Sequence, residues 1–80
     1  MKREELIMTV KSIISQEIEI PVDSIELDTP LADLDIDSLD VLRLGVAFEK
    51  SFNITITTAE LLSIKTVGDI ITGLEGRLVS

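Results

Sequence analysis

The stretch DLDIDSLD, residues 33–40, concentrates the side chains that could do chemistry. It places aspartates at positions 33, 35 and 37 and follows them with Ser38 and an apolar run. Such a pattern could supply oxygen ligands for a cation, a serine nucleophile, or a hydroxyl exposed for covalent modification. It could also simply begin a helix, because Asp and Ser are both favoured at helix N-termini.

Calcium binding of the EF-hand type fits this stretch poorly. A loop starting at Asp33 needs glycine at its sixth position for the sharp turn and a bidentate glutamate at its twelfth. The chain has Ser38 and Leu44 there. We therefore expect no metal site of this type, although loose binding of divalent ions by the acidic residues stays open.

Catalysis by the chain itself is also disfavoured. The sequence contains no cysteine and no histidine, so neither a His-based triad nor a typical zinc site can be built. The close carboxylates Asp35 and Asp37 lie on a polar segment, without the apolar surroundings that raise a carboxyl pKa for acid–base work. We expect a protein that is not an enzyme.

The charge of the chain indicates its class of partner. The formal net charge is −8, which argues against binding to nucleic acid. The acids are concentrated in residues 17–40, where no Lys or Arg occurs. This distribution favours a surface for basic protein partners over a generic solvated face.

The length and composition predict one small domain over residues 1–80. Phe48 and Phe52 are the only aromatic residues, so we expect an aliphatic core. No apolar run approaches the roughly 18 residues of a membrane span, and the first residues do not have the pattern of a secretory leader. From these features we expect a monomer in the cytoplasm.

Apolar spacing predicts an all-α fold. It indicates helices over about residues 2–17 and 38–51, a short helix ending at Leu62 and capped by Thr57 or Thr58, and a last helix capped by Thr66. Residues 18–37 contain two prolines and predict a long loop that apolar side chains pin to the core. The expected architecture is a small four-helix bundle, three main helices plus a short third one, with this loop between helices 1 and 2.

The second predicted helix has two notable features. Its apolar positions are broader than one stripe, which predicts burial on more than one side. Gly45 inside it costs about 1 kcal/mol relative to alanine, which indicates close packing or a surface that must stay small. Asp37 is the predicted N-cap, with Asp40 completing a capping box.

The run LADLDIDSLDVLRLGVAFEKSFNITIT resembles the acyl carrier protein family. Asp37, Ser38 and Leu39 match that family's Asp-Ser-Leu signature at the start of the second helix. The apolar approach to the serine, the segment FEKSF at 48–52 and the segment IKTV at 64–67 are also similar to the family pattern. The resemblance covers essentially the whole chain.

The resemblance implies a carrier that acts as a cosubstrate of partner enzymes. A phosphopantetheinyl transferase would join the 4′-phosphopantetheine of coenzyme A to Ser38, and the thiol of the arm would hold acyl groups as thioesters. The implied partners are acyltransferases, ketosynthases or acyl-activating enzymes of fatty acid, polyketide or related specialised lipid biosynthesis. The absence of cysteine fits, because a thioester carrier without its own thiol needs one supplied.

The resemblance also implies two sets of further residues. An acyl chain that folds back into the bundle would contact apolar side chains that could equally be ordinary core: Leu44, Phe48, Ile56, Leu61 and Ile64, with Val46 as a further candidate. Partner enzymes would contact a surface around the serine, on which Val41 is expected to be exposed: Asp35, Asp37, Leu39, Asp40, Val41, Arg43 and Val46.

The chain departs from the family pattern in its charges. Arg43 and Lys50 stand where acids are usual, and Asp35 stands where glycine is frequent. These departures predict a specialised carrier that serves a dedicated pathway. Two alternatives remain at this stage: an aminoacyl or peptidyl carrier, and an unmodified helical interaction module of the same fold.

Overall fold

The computed structural model describes residues 2–78, which form four helices: α1 (Arg3–Ile18), α2 (Ser38–Phe52), α3 (Thr58–Leu62) and α4 (Val67–Leu78). This confirms the all-α class, the short third helix and the loop between the first two helices. The predicted single domain over residues 1–80 stays a prediction, and it includes Met1, Val79 and Ser80, which lie outside the described residues. Within residues 2–78, no helix is both long enough and apolar enough to cross a bilayer.

The core is aliphatic around one aromatic ring. Leu6, Val10 and Ile14 recur every fourth residue of α1 and are fully buried, as the helical period requires. They meet side chains of α2 and α4, with Phe48 only 1% exposed. Among the residues that the structure describes, no polar or charged residue is buried, so apolar packing holds the bundle together.

The long loop between α1 and α2 is pinned by apolar side chains, as predicted. Ile25, Leu31 and Ile36 are buried in the core. The loop also contains two short 3₁₀ turns, Val22–Ser24 and Leu31–Leu34, which the sequence pattern did not predict. Each turn follows a proline, whose fixed φ suits the start of a helical turn.

Backbone hydrogen bonds tie this loop to the start of α4. The Leu31 N–H donates to the Lys65 carbonyl at 2.9 Å, and the Gly68 N–H donates to the Leu27 carbonyl at 2.7 Å. A Cβ on Gly68 would lie 3.0 Å from that Leu27 oxygen. Glycine at 68 therefore permits the close approach of the two segments.

The start of α4 carries the predicted cap. Thr66 Oγ1 accepts from the Asp69 N–H at 3.2 Å, while Asp69 Oδ2 accepts from the N–H groups of Lys65 and Thr66 at 3.0 and 3.1 Å. The bond from Lys65, followed by that from Thr66, lowers the pKa of Asp69 below its ordinary value. The folded state thus favours the ionised carboxylate.

The backbone at the end of α1 adopts a conformation that costs free energy. Its C-cap, Glu19, has a φ of 61° and a ψ of 48°, in the left-handed region. Its N–H still donates to the Ser15 carbonyl at 2.9 Å. A side chain with a Cβ destabilises this backbone conformation by roughly 1–2 kcal/mol, and glycine avoids that cost.

Replacing Glu19 with glycine should raise the free energy of unfolding by about 1 kcal/mol, because glycine adopts this φ without a Cβ clash. Urea denaturation followed by circular dichroism measures the change. The matched control is Glu26→Gly, which removes the same charge from an exposed loop residue whose φ is not positive. The control should be destabilised, and equal losses in both variants would contradict the explanation.

Replacing Asp69 with asparagine should lower the free energy of unfolding near neutral pH by a few tenths to about 1 kcal/mol, since the group is exposed and its charge is screened. A carboxyl group whose pKa is lower in the folded state than in the unfolded state stabilises the fold at pH values above its unfolded pKa. That stabilisation disappears as the pH falls through the folded-state pKa. The difference between wild type and variant should therefore shrink below about pH 4. Urea titrations across this range, with the exposed loop variant Asp28→Asn as control, test the pH dependence.

Candidate functional site

Ser38 is the first residue of α2 and is exposed. The cap of the helix is made by its neighbour: Asp37 Oδ1 accepts from the Asp40 N–H at 2.9 Å, and Asp40 Oδ2 accepts from the Asp37 N–H at 3.3 Å. This reciprocal pair confirms the predicted capping box. No hydrogen bond described within residues 2–78 uses the Ser38 hydroxyl, so it is available at the mouth of the helix.

The backbone just before Ser38 is held in place by the core. Ile36 is buried, and its N–H donates to the Leu31 carbonyl at 3.1 Å. Asp35 adopts a left-handed conformation with a φ of 59°, and its N–H donates to the Ala32 carbonyl. The apolar residues of this segment thus face inwards, while the acids and Ser38 face outwards.

The start of α2 suits a phosphate on Ser38. The N–H groups at the first positions of a helix have no intrahelical partner, and the helix dipole is positive at this end. The capping box uses the Asp40 N–H but not those of Ser38 and Leu39. The carboxylates of Asp35, Asp37 and Asp40 oppose this attraction. No group of three or more metal-ligating side chains occurs in the described part of the chain.

Ser38 opens onto a groove between the long loop and α3, which we call the Ser38 groove. It has a volume of about 420 Å³ and a mainly apolar lining. The lining includes Ile36, Ser38, Val41, Leu61, Leu62 and Ile64. An apolar group attached near Ser38 would have a surface to pack on directly beside its point of attachment.

A second groove, the α3–α4 groove, lies between α3 and α4 and has a volume of about 380 Å³. Four of the candidate acyl-cavity residues line it: Phe48, Ile56, Leu61 and Ile64. Leu44, the fifth candidate, is buried in the core but is not part of this lining. Val46, the further candidate, is 50% exposed and lines neither groove.

The candidate partner residues differ in how exposed their side chains are. Leu39 and Val46 are 71% and 50% exposed, although burial on more than one side was predicted for the apolar positions of this helix. Val41 was expected to be exposed and is half-buried, because it lines the Ser38 groove.

Arg43 is exposed, but its guanidinium already has partners. It donates to the Glu17 carbonyl at the end of α1 at 3.0 Å and to Asp40 Oδ1 at 3.3 Å. Its Nη2 also lies 3.9 Å from Glu17 Oε2. Arg43 therefore links α1 to the start of α2 and offsets acidic charge close to Ser38.

The sequence pattern missed three apolar contributors to the grooves. Leu62 is 59% exposed and lines the Ser38 groove. The adjacent pair Leu61 and Leu62 was a usable signal, because successive positions of a helix point about 100° apart, so a short helix on the surface tends to expose one of them. The contribution of Ile70 and Leu74 to the α3–α4 groove had no signal beyond the helical period, which assigns them to the core.

Comparison with known proteins agrees with this geometry. Residues 9–74 match the family described as "Phosphopantetheine attachment site". The chain is 39% identical to the acyl carrier protein of Thermotoga maritima over 77 residues, which cover 95% of each chain. It is 39% identical to that of Petrotoga mobilis over 79 residues, with 98% of this chain and 93% of the relative covered. It is 35% identical to that of Beutenbergia cavernae over 74 residues, with 91% and 90% covered.

These matches extend over nearly the whole chain and include the segment around the exposed serine. They confirm phosphopantetheine as the cofactor and the interpretation of the protein as a non-catalytic carrier. The chain belongs to the acyl carrier protein family and carries acyl groups on a phosphopantetheine arm.

Proposed function

We propose that Ser38 is the residue that bears the phosphopantetheine arm. The observation that carries this assignment is the division of roles at the start of α2. Asp37 makes the cap, while the Ser38 hydroxyl is exposed and is not used in the capping box. Packing requires no hydroxyl at that position, so its presence is explained by modification.

The chain contributes the nucleophilic oxygen and its placement. Ser38 Oγ attacks the phosphorus of coenzyme A that bears the pantetheine, the pyrophosphate bond breaks, and adenosine 3′,5′-bisphosphate leaves as the phosphodiester forms. The base that removes the hydroxyl proton belongs to the transferase, because the chain has no histidine. The helix N-terminus stabilises the new negative charge. Once attached, the arm supplies the thiol on which acyl groups are held as thioesters.

The surface around Ser38 is the proposed contact for partner enzymes. Leu39 and Val46 supply exposed apolar area on α2, and Asp35 adds exposed acidic charge on the approach to the serine. Charge complementarity steers encounter and selects partners more than it adds affinity. The proposed partners are therefore a phosphopantetheinyl transferase and acyl-transferring, condensing or acyl-activating enzymes with basic docking surfaces.

The two grooves are the proposed shelter for the acyl chain. Their linings combine Val41 and Leu62 on the Ser38 side with Phe48 and Ile56 on the other. Each CH₂ group that moves from water to an apolar surface stabilises the sheltered state by about 0.8 kcal/mol. An acyl chain long enough to reach these side chains is thereby drawn from solvent to the protein.

Arg43 and Lys50 support a dedicated set of partners. Both are exposed on α2 at positions where acids are usual in the family. A partner that complements this surface needs an acidic or neutral group opposite Arg43, unlike an enzyme built for a uniformly acidic carrier. We assign the chain to a specialised lipid pathway on this basis.

Incubation with coenzyme A, magnesium and a broad-specificity phosphopantetheinyl transferase should add one phosphopantetheinyl group, measured by intact mass. Ser38→Ala should show no gain, because it removes the only oxygen that we assign to the bond. Ser51→Ala, at an exposed serine of the same helix, is the control and should be modified like wild type. Modification of the Ser38→Ala variant would disprove the assignment.

Reversing the charge at Arg43 tests the partner surface. With a basic general transferase, Arg43→Glu should raise kcat/KM by roughly two- to fivefold, the effect of about 0.5–1 kcal/mol from one exposed charge pair. With a dedicated partner that places an acid opposite Arg43, the same change should lower it. Lys2→Glu makes an identical charge change just before α1, at the opposite end of that helix from Glu17, and equal effects of the two variants would contradict a role for Arg43.

A further inference from the structure

Leu61 of α3 packs directly on the backbone of α2 at Gly45. A Cβ built on Gly45 would lie 2.5 Å from Leu61 Cδ1 and 2.8 Å from Cδ2, far inside van der Waals contact. Gly45 is buried, and Leu61 is only 7% exposed. Glycine thus leaves a notch in the surface of α2, and the Leu61 side chain fills it.

The same side chain stands between the two grooves. Leu61 and Ile64 line both the Ser38 groove and the α3–α4 groove, while the remaining lining residues differ. Val41 and Leu62 line only the Ser38 groove, and Phe48 lines only the other. The route from Ser38 to Phe48 is therefore interrupted by Leu61 and Ile64, and Leu61 is the one that packs against Gly45.

We propose that Leu61, seated on Gly45, is a partition that limits the length of acyl chain the protein shelters. The inference rests on the proposed attachment of the arm to Ser38. An acyl group that enters from the Ser38 side packs against Val41 and then meets Leu61. Its further carbons reach the α3–α4 groove only when Leu61 leaves the notch, so a long chain keeps part of its surface in water.

The identities of residues 45 and 61 determine which helix supplies the side chain that forms this barrier. Gly45 contributes no side-chain carbon and Leu61 contributes four, so the space between α2 and α3 is filled wholly from the α3 side. Because α3 has only five residues, the barrier is carried by the shortest helix of the fold. A pair with valine at 45 and alanine at 61 has the same number of side-chain carbons and would fill the space mainly from α2.

The test uses holo-protein loaded with butanoyl, octanoyl or dodecanoyl groups. The measured quantity is the rate at which hydroxylamine cleaves each thioester, which falls when the acyl chain is held inside the protein. Leu61→Ala joins the two grooves, so its dodecanoyl thioester should react roughly tenfold more slowly than that of wild type, as expected when about two more CH₂ groups are buried. Its butanoyl thioester, which is too short to reach the partition, should react at the wild-type rate.

Two further variants separate this role from a general loosening of the fold. Leu62→Ala makes the same change at the neighbouring residue, which lines only the Ser38 groove, and should not slow cleavage of the dodecanoyl thioester. The double variant Gly45→Val/Leu61→Ala refills the gap from α2 and should restore the wild-type rates. Circular dichroism checks that each variant folds, and Leu61→Val replaces Leu61→Ala if the larger truncation unfolds the protein.

The outcomes distinguish this inference from the proposed function on which it rests. If no variant that retains Ser38 takes up the arm, the attachment to Ser38 fails and the partition fails with it. If the arm is taken up and loaded but Leu61→Ala shows the same dependence on acyl length as Leu62→Ala, the partition alone is overturned. Slower cleavage of long-chain thioesters in Leu61→Ala, reversed in the double variant, supports it.

Discussion

Apolar packing around Phe48 is the constraint on which the rest of the structure depends. No polar or charged residue is buried in the described part of the chain, so no internal hydrogen-bond network or ion pair fixes the helices. The same packing orders the long loop, through Ile25, Leu31 and Ile36. Because the buried side chains of residues 2–77 are apolar, the charged and nucleophilic side chains in this range lie exposed or half-buried at the surface.

The start of α2 shows how the surface groups share their roles. Asp37 and Asp40 satisfy the helix terminus between them, and Arg43 engages Asp40 and the carbonyl at Glu17. Two of the acids nearest to Ser38, Asp37 and Asp40, thus already make hydrogen bonds that stabilise the start of the helix. The Ser38 hydroxyl takes no part in these contacts, and Arg43 moderates the repulsion that a phosphate attached there would meet.

The helices and their caps were predictable because both signals are local. The helical period of 3.6 residues and the spacing between a capping residue and its partner can both be seen in a short window of sequence. The capping box at Asp37 and the cap at Thr66 were therefore identified. The close packing at Gly45, one of two explanations offered for a glycine inside this helix, was also predictable from the cost of glycine there. Its contact with Leu61 was not, because that contact joins two elements distant in sequence. The bond from Arg43 to Glu17 and the partial burial of Val41 escaped prediction for the same reason, since both depend on how separate elements meet.

The backbone bonds between the long loop and the start of α4 make the two sides of the Ser38 groove mechanically unequal. One side is fastened by main-chain hydrogen bonds at Leu31 and Gly68, which join uncharged groups. The other side, α3, is fastened partly by Arg77, which contacts Glu60 and the Thr55 carbonyl. That ion pair is partly exposed and is therefore weakened by salt. The attachment of α3 therefore depends in part on ionic strength, whereas the main-chain hydrogen bonds on the other side of the groove do not involve charged groups.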